Sequence, residues 1–366
     1  MKKSFVDYLI EATEGPRIPH PEDSIFSGVA EAKKYLTALK QVVAAPNGIS
    51  IKWDGGIALF FGRQEDGTFF CSDKYMYPKG VLATSPAQWL EYDQARGSNR
   101  GDLYEKIKTI WRGLEFAVVE KAVFKGDLMQ SGPVNMVDGK FQFAPTTVDY
   151  KIAPDSKYGQ LINKNTRGII VVHQKNNAPW DGKTGLRNGG EVVVIEPKIG
   201  ISFALNYPSQ LFSKADSLLN GRKGANAESF LNSIDGVARS AIQTYFNKKI
   251  TQQTNEDLDI WLSKGNISAK QVKLLVTGTG ELDKNGKPIP GYLITHKQQY
   301  LDLVDIWNAI YVLKDNLVQQ LESQVGGIEQ TIKGQPGGEG FVFPSSIGLI
   351  KLVSRGTFGA AHFNKQ

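Results

Sequence analysis

Residues 48–62 read Gly-Ile-Ser-Ile-Lys-Trp-Asp-Gly-Gly-Ile-Ala-Leu-Phe-Phe-Gly. Near the start of this stretch, Ile49 and Ile51 alternate with Ser50 and Lys52, which is the two-residue period of a β-strand with one buried face. Strand alternation places the two isoleucines in the core and directs the serine and the lysine to the opposite face. The stretch therefore predicts a strand whose polar face presents a lysine.

A tight bend is expected immediately after this strand. Asp54-Gly55-Gly56 is typical of a turn, and residues 57–62 are again strongly apolar, which predicts a second strand. Two successive glycines allow a ligand to approach the backbone closely. Because burial favours the neutral amine, which is a nucleophile, a lysine held between an apolar strand and a glycine bend is a candidate nucleophile. The alternative is a solvent-facing Lys52 beside an ordinary Asp-Gly turn.

The composition is that of a globular protein with one large domain or two ordinary ones. The chain has 366 residues, of which 41% are hydrophobic and 22% are charged. A net charge of +6 is consistent with a polyanionic partner without requiring one. The single cysteine, Cys71, cannot form an internal disulfide and favours a reducing compartment, and the scattered histidines give no zinc spacing. No stretch approaches the ~20 apolar residues of a membrane span, so we expect a cytoplasmic protein with no membrane partner.

The periodicity predicts an α+β chain in three parts. Residues 1–47 form an N-terminal helical segment, residues 48–205 and 335–366 are rich in short strands with flanking helices, and residues 206–334 are mostly helical. Helices are expected at about residues 2–14, 28–43, 102–116, 227–249, 255–275 and 296–324. Strands are expected at about residues 68–72, 117–124, 168–173, 191–195, 340–343 and 349–353.

Four further polar motifs follow the lysine in a definite order. They are Ser72-Asp73-Lys74, Phe124-Lys125-Gly126-Asp127-Leu128, Glu339-Gly340-Phe341-Val342 and Ile350-Lys351-Leu352-Val353. Each places a charged residue at or near an apolar strand, where a fold can hold it in a fixed position.

Together with Lys52-Trp53-Asp54-Gly55, this order resembles the motifs of the covalent nucleotidyltransferases, which include ATP-dependent DNA ligases, RNA ligases and mRNA capping enzymes. The first motif is similar to Lys-x-Asp-Gly, and the motif that begins at Glu339 is similar to Glu-Gly-x-Val. The stretch also resembles uncharacterised proteins of tailed phages that carry Lys-Trp-Asp-Gly. The resemblance implies a nucleotidyltransferase (ATP-grasp-like ligase) core of antiparallel sheets with flanking helices. This core would comprise residues 48–205 and 335–366, and residues 206–334 would be a helical insertion within it.

The resemblance also implies catalytic roles and two cofactors, ATP and Mg²⁺. Lys52 would attack the α-phosphorus of ATP and form a lysyl-AMP. Glu339 would work with this lysine and hold the metal ion. Lys351 would contact the α-phosphate.

Six residues are implied to bind the nucleotide. Ile51, Asp54 and Gly55 belong to the lysine motif, Lys74 would contact phosphate, Asp127 would hold a ribose hydroxyl, and Arg355 would supply a second cation in the last motif. The sequence departs from the family pattern at three of its motifs, since Lys74 stands for arginine, Asp127 for glutamate, and Val353 for the second lysine.

Each of these residues also has a purely structural alternative. Asp54 could shape its turn, Asp127 could cap a loop, Glu339 could begin an exposed strand, and Lys351 could be an edge-strand lysine. His173 is expected to be a hydrogen-bonded strand histidine and Trp53 to be a packing residue.

The function implied by the resemblance is that of an ATP-dependent polynucleotide ligase that passes AMP to the 5′-phosphate end of RNA or DNA. The chain ends about fifteen residues after Lys351, which leaves no room for a C-terminal OB domain and favours an RNA ligase-like enzyme. The alternatives are a non-catalytic phage protein that binds nucleotide or nucleic acid, and a transferase that adenylylates a protein or small molecule. For a phage protein, the expected location is the host cytoplasm.

Overall fold

The computed structural model describes residues 18, 20–98, 100–198, 203–251, 284, 286, 295–332, 334–336 and 338–355. These residues form a mixed α and β structure with largely antiparallel sheets, which confirms the expected fold class at that level. They group into two compact units. The strand-rich unit contains the described residues of Ser50–Gly200 and Val325–Glu339, and the helix-rich unit contains those of Ile18–Ile49, Ile201–Gln324 and Gly340–Gln366.

The strand-rich unit contains a large sheet. Its strands are β2 (Ile57–Arg63), β3 (Phe69–Asp73), β4 (Val123–Ser131), β8 (Gly168–Lys175), β9 (Ala178–Pro179) and β10 (Val192–Ile195). The strand order is β10-β8-β4-β2-β3, with β9 beside β8. All neighbours are antiparallel except β8 and β10. The expected strand at residues 117–124 is wrong over residues 117–122, because the preceding helix continues to Ala117 and β4 begins at Val123.

Two helices cover one face of this sheet, α2 (Pro86–Ala95) and α3 (Gly101–Ala117). Alternate strand residues enter the core on this face, where they pack with buried side chains of both helices. The core includes Leu59, Phe61, Phe124, Ile170, Trp89, Ile107, Ile110 and Leu114. The intervening strand residues, Asp127 among them, point to the opposite face, where the candidate site lies.

A second sheet supports the site. Its strands are β5 (Asn135–Val137), β6 (Lys140–Phe143), β7 (Val148–Ile152), β11 (Ile328–Ile332) and β12 (Gln335–Pro336), in the order β12-β11-β7-β6-β5. Strand β11 lies in the segment that was expected to be helical. Its β-branched residues favour a strand, and its antiparallel partner β7 is far away in the sequence, so no local pattern could have indicated the pairing.

The strand predicted before the lysine is short. Strand β1 covers only Ser50–Ile51, and its Ile51 amide donates a hydrogen bond to the Pro197 carbonyl, with an N···O distance of 3.2 Å. The predicted alternation is confirmed, because Ile49 and Ile51 are buried whereas Ser50 and Lys52 are half-buried.

The helix-rich unit is built around one long helix. Its helices are α1 (Val29–Ala44), α4 (Ser209–Asn220), α5 (Arg222–Ser233), α6 (Gly236–Thr251) and α7 (Lys297–Glu322), and a hairpin of β13 (Phe341–Ser345) and β14 (Gly348–Leu352) completes it. The apolar stripe of α7 is buried, from Leu303 to Leu321. The described residues from Gly340 to Arg355 group with this unit, whereas the sequence indicated that residues 335–366 would join the strand-rich part.

One helix predicted at residues 227–249 is two helices. The break lies at Ile234 and Asp235, and the Asp235 carboxylate accepts a hydrogen bond from the Ala238 amide, with an O···N distance of 2.7 Å. This contact starts a new helix, as a capping aspartate does. The helices predicted at residues 2–14 and 255–275 lie outside the described residues. Among the helices that the structure describes, none is long and apolar enough to cross a membrane.

A buried charge network holds the helix-rich unit together. Lys314 and Glu22 are fully buried and form an ion pair with an Nζ···Oε1 distance of 2.9 Å. Arg355 donates to Glu22 and to Asp23, at 3.0 Å in each case. Burial alone would raise the pKa of Glu22, but Lys314 and Arg355 outweigh it and lower that pKa to about 2. The carboxylate is therefore ionised in the native state, and both cations contact its Oε1 atom.

Replacement of Glu22 by glutamine is expected to destabilise this unit by about 3–5 kcal/mol, because it leaves Lys314 and Arg355 buried without their shared carboxylate. The matched control is Glu31→Gln, which removes a surface partner of Lys34 and should cost at most about 0.5 kcal/mol. Urea unfolding at neutral pH measures both variants.

Acidification supplies a second readout of the same pair. A carboxyl group whose pKa is lowered on folding stabilises the native state above its unfolded pKa, and this contribution is lost as the pH falls. For Glu22 the loss is expected between pH 4.5 and about 2. Equal unfolding free energies for Glu22→Gln and the wild type would contradict the assigned role.

Candidate functional site

Lys52 and Glu339 form an ion pair in the strand-rich unit. The two residues are 287 positions apart in the sequence, and the Lys52 ammonium donates a hydrogen bond to the Glu339 carboxylate. Their side chains are 23% and 13% exposed, so each is accessible from one side. The fold therefore brings together the candidate nucleophile and the candidate carboxylate.

The second sheet explains how Glu339 reaches this position. Strand β11 pairs with β7, with Gln330 opposite Tyr150. The chain then forms β12 and continues to Glu339. Gly340 has a φ of +74°, a conformation that favours glycine, and a Cβ at this position would lie 2.3 Å from the Leu352 carbonyl oxygen. The glycine of the Glu-Gly-x-Val motif is thus required by the backbone.

Three hydrogen bonds hold the bend that follows Lys52. The Asp54 amide donates to the Tyr150 hydroxyl at 2.7 Å. The Thr146 hydroxyl donates to the Asp54 carboxylate at 2.7 Å. The Gly56 amide donates to the Leu128 carbonyl at 3.0 Å. Asp54 therefore shapes the turn, which is the structural alternative that the sequence left open for it.

The bend passes very close to Asp127 on β4. A Cβ added to Gly55 would lie 2.2 Å from the Cβ of Asp127, which is far inside van der Waals contact. Only glycine fits at position 55 without displacing β4 or the bend. The close approach places the lysine motif and the Asp127 motif in one site.

Asp127 is paired with a histidine on the neighbouring strand. His173 Nε2 lies 2.9 Å from Asp127 Oδ2, and the two side chains are 32% and 26% exposed. His173 is a strand residue with a hydrogen bond, as the sequence indicated. Its partner is the carboxylate that was assigned to the ribose, so His173 helps to fix the orientation of that group.

Trp53 packs beneath the bend. It is 3% exposed, and its ring lies 5.0 Å from the Tyr150 ring and 5.9 Å from the Tyr158 ring, measured between centroids. This confirms the expectation that Trp53 is a packing residue. Ile51, the other neighbour of Lys52, is also buried and lines no open surface.

Lys74 and Asp127 lie at the same end of the large sheet. Leu59 pairs with Asp73 on one side and with Gly126 on the other. The Cα atoms of Asp73 and Gly126 therefore lie about 10 Å apart across two strand spacings, and Lys74 and Asp127 are the residues that follow them. Lys74 is exposed.

Lys351 and Arg355 belong to the helix-rich unit. Lys351 lies on β14 opposite Val342 and is half-buried. Arg355 is buried, and its guanidinium donates to Glu22, Asp23 and Asn247. Burial works against ionisation of Arg355, but Asp23 and Glu22 outweigh it and raise its pKa. The Arg355 charge is therefore already neutralised by two carboxylates.

Local sequence patterns did not indicate Tyr150 and Thr146 as parts of the site. Tyr150 is fully buried, and its burial raises the pKa of the phenol, so the hydroxyl stays protonated. On β7, Val148, Tyr150 and Ile152 alternate with half-buried residues and form the buried face of the strand. No local pattern could show that Tyr150 supports Asp54, since the two residues are 96 positions apart in the sequence.

Glu339 is the carboxylate of the candidate site that could serve as a metal ligand. Within the described ranges, no three His, Cys, Asp or Glu side chains gather as metal ligands. Mg²⁺ commonly binds through one or two carboxylates together with substrate phosphates and waters. The half-buried Glu339 carboxylate is suited to that kind of binding.

The comparison with protein families places the chain in a group without an assigned activity. The chain belongs to DUF6267, a family of unknown function, whose model matches residues 17–366. No curated protein and no solved structure matches the chain. Functional inference therefore depends on the geometry of the site.

Removal of the Tyr150 hydroxyl is expected to destabilise the strand-rich unit. Tyr150→Phe leaves the Asp54 amide without its acceptor, which should cost about 1–3 kcal/mol. Tyr77→Phe is the matched control, because the Tyr77 hydroxyl is buried and has no hydrogen-bond partner within the described residues. Its removal should be neutral or stabilising.

Chemical unfolding of both variants beside the wild type measures the difference. A Tyr150→Phe protein that is as stable as Tyr77→Phe would show that the hydroxyl does not hold the bend.

Proposed function

We propose that this protein is an ATP-dependent polynucleotide ligase, RNA ligase-like, that forms a lysyl-AMP on Lys52 and transfers AMP to a 5′-phosphate end. The observation that carries the proposal is the ion pair between Lys52 and Glu339. These residues come from two motifs at opposite ends of the chain, and the order of the motifs is what suggested that they would meet. The two side chains are buried enough to be held and exposed enough to reach a ligand.

In the first step, Lys52 acts as the nucleophile. Glu339 accepts the ammonium proton, and the free amine attacks the α-phosphorus of the substrate ATP. A nitrogen–phosphorus bond forms, and the bond to the pyrophosphate oxygen breaks. Because phosphoryl transfer depends mainly on positioning and charge neutralisation, the protein must chiefly hold the amine in line with the departing oxygen.

Mg²⁺ supplies positive charge to the phosphate oxygens when it is bound. Glu339 is the residue of the site that would hold it. Since Glu339 also faces the Lys52 amine, the same carboxylate orients the nucleophile. The Lys52 ion pair thus holds the amine beside the metal-binding carboxylate before the substrate arrives.

Asp127 is suited to the ribose. Its carboxylate accepts hydrogen bonds, and His173 fixes its direction. Gly55 allows the bend to lie directly against Asp127, so a nucleoside beside Lys52 would also reach that carboxylate. In the second step, the 5′-phosphate of the polynucleotide attacks the AMP phosphorus, and the amine of Lys52 leaves and recovers its proton from Glu339.

One observation favours a second candidate, a non-catalytic protein that binds nucleotide or nucleic acid. The last motif has valine at its second lysine position, and Arg355, the nearest substitute in the sequence, is neutralised by Glu22 and Asp23. Such a protein would keep the nucleotide site without the transfer of AMP.

Incubation with α-labelled ATP and Mg²⁺, followed by a denaturing gel, tests the first step. We expect label on the wild-type protein, none on Lys52→Arg, and a loss of about 100-fold or more in rate for Glu339→Gln, because proton transfer by a positioned group contributes about 10²–10⁴-fold. The arginine variant keeps the charge but has no nucleophilic amine.

A second ion pair of the strand-rich unit provides the control. Lys140 and Glu329 form an exposed pair, and Lys140→Arg and Glu329→Gln are expected to label like the wild type. Wild-type protein that takes no label from ATP, with GTP and Mn²⁺ also tried, would favour the binding protein. Persistent label on Lys52→Arg would exclude Lys52 as the nucleophile.

A further inference from the structure

Tyr75 is an exposed aromatic residue on a rigid backbone. Its side chain is 46% exposed. The Tyr75 amide donates to the Asp73 carboxylate at 2.8 Å, and the Tyr92 hydroxyl donates to the Tyr75 carbonyl at 2.9 Å. The ring is therefore presented to solvent by a backbone that is held from both sides.

Three cations surround this ring. The Lys74 ammonium lies 5.2 Å from the ring centroid, and the guanidinium carbons of Arg96 and Arg100 lie 5.0 Å and 5.4 Å from it. Arg96 also lies 5.4 Å from the centre of the Tyr92 ring. Aromatic rings attract cations through the negative charge of their faces, which explains why these side chains gather here.

Arg100 is paired with two carboxylates, so it connects two parts of this surface and adds no unpaired charge to it; we call this set of contacts the Arg100 brace. It donates to the Asp73 carboxylate at 2.6 Å and to the Asp93 carboxylate through two nitrogens, one of them at 2.9 Å. The brace joins the end of β3 to the end of α2. It keeps Tyr75, which follows β3, beside Tyr92 on α2.

Lys74 and Arg96 carry the available charge. Both are exposed, and neither has a carboxylate within ion-pair distance among the described residues. A cavity of about 360 Å³ adjoins Arg100 and Asp93, and its other lining residues are Leu90, Gln94, Ser98 and Gly101. The surface thus combines an exposed aromatic ring, two cations without an ion-pair partner among the described residues, and an adjoining cavity.

We propose that this surface, formed by Lys74, Tyr75, Tyr92 and Arg96, binds a single-stranded nucleic acid. A base stacks on Tyr75 and on the Arg96 guanidinium, and Lys74 meets a backbone phosphate. Proteins that bind single strands without sequence preference use this combination of aromatic rings and cations. Arg96 contributes a planar group that can itself stack on a base.

The position of this surface indicates a role for the bound nucleic acid, and that role rests on the proposed function. Lys74 follows Asp73, whose Cα lies about 10 Å across the sheet from that of Gly126, the residue before Asp127. A nucleic acid held on Tyr75 can therefore extend toward Asp127 of the candidate site. We assign it as the acceptor that carries the 5′-phosphate.

The test measures the binding of fluorescein-labelled single-stranded RNA and DNA of about twelve nucleotides by fluorescence anisotropy. Tyr75→Ala is expected to weaken binding at least about five-fold, because base–aromatic stacking is lost. Tyr75→Phe keeps the ring and should bind like the wild type. Arg96→Gln should weaken binding and lower the slope of log affinity against log salt by about 0.7.

Phe116→Ala is the matched control. Phe116 is a second exposed aromatic residue with a guanidinium on its ring, that of Arg187, at 3.8 Å. It lies at the far end of α3, about 24 Å of helix from Gly101. Its replacement should leave oligonucleotide binding unchanged.

Wild-type binding with equal affinity for Tyr75→Ala would overturn the proposal, and so would the absence of any binding by the wild type. Self-labelling with ATP in the absence of oligonucleotide reports on the proposed function separately. Label without oligonucleotide binding would reject this surface and leave the transferase standing. Binding that depends on Tyr75 without any label would support the surface and contradict the transferase.

Discussion

The half-buried ion pair of Lys52 and Glu339 is the contact on which the candidate site depends. It joins a bend near the start of the strand-rich unit to a segment that arrives 287 residues later. An ion pair that is fully exposed on the surface contributes little to stability, because water screens it. A fully enclosed pair is held strongly but is closed to ligands. At 23% and 13% exposure, this pair lies between the two cases and remains partly open to solvent.

The chain contains an enclosed pair for comparison. Lys314 and Glu22 have no exposed surface, and Arg355 completes their network. These charges hold segments of the helix-rich unit together, and no ligand can reach them. The same residue types thus serve two purposes in one chain, and the difference lies in their access to solvent. The contrast assigns a structural role to Arg355 and is consistent with the chemical role that we propose for Lys52.

Local patterns in the sequence predicted much of the fold. The alternation of Ile49 and Ile51 placed both residues in the core, and helical periodicity located α1, α3 and α7 to within a few residues. Local patterns could not show that Asp235 starts a new helix, because that depends on one capping contact. They also could not show where β11 pairs, because its partner β7 lies far away in the chain.

The sequence indicated the main residues of the candidate site, but it did not indicate the residues that hold them in position. The order of the motifs brought Lys52, Glu339 and Asp127 to attention, whereas the physical reasons for their positions lie elsewhere. Tyr150 holds the bend from the second sheet, and His173 orients Asp127 from a neighbouring strand. The order of the motifs also assigned Arg355 to phosphate. The sequence could not show that two acids neutralise Arg355, because both lie more than 300 residues away.

The most direct measurement is the location of the covalent adduct. Wild-type protein is incubated with ATP and Mg²⁺, digested under mildly alkaline conditions that preserve a phosphoramidate, and mapped by mass spectrometry. We expect one adenylylated peptide, modified on Lys52. An adduct on another residue, or full recovery of the unmodified Lys52 peptide, would contradict the assignment of this lysine as the nucleophile.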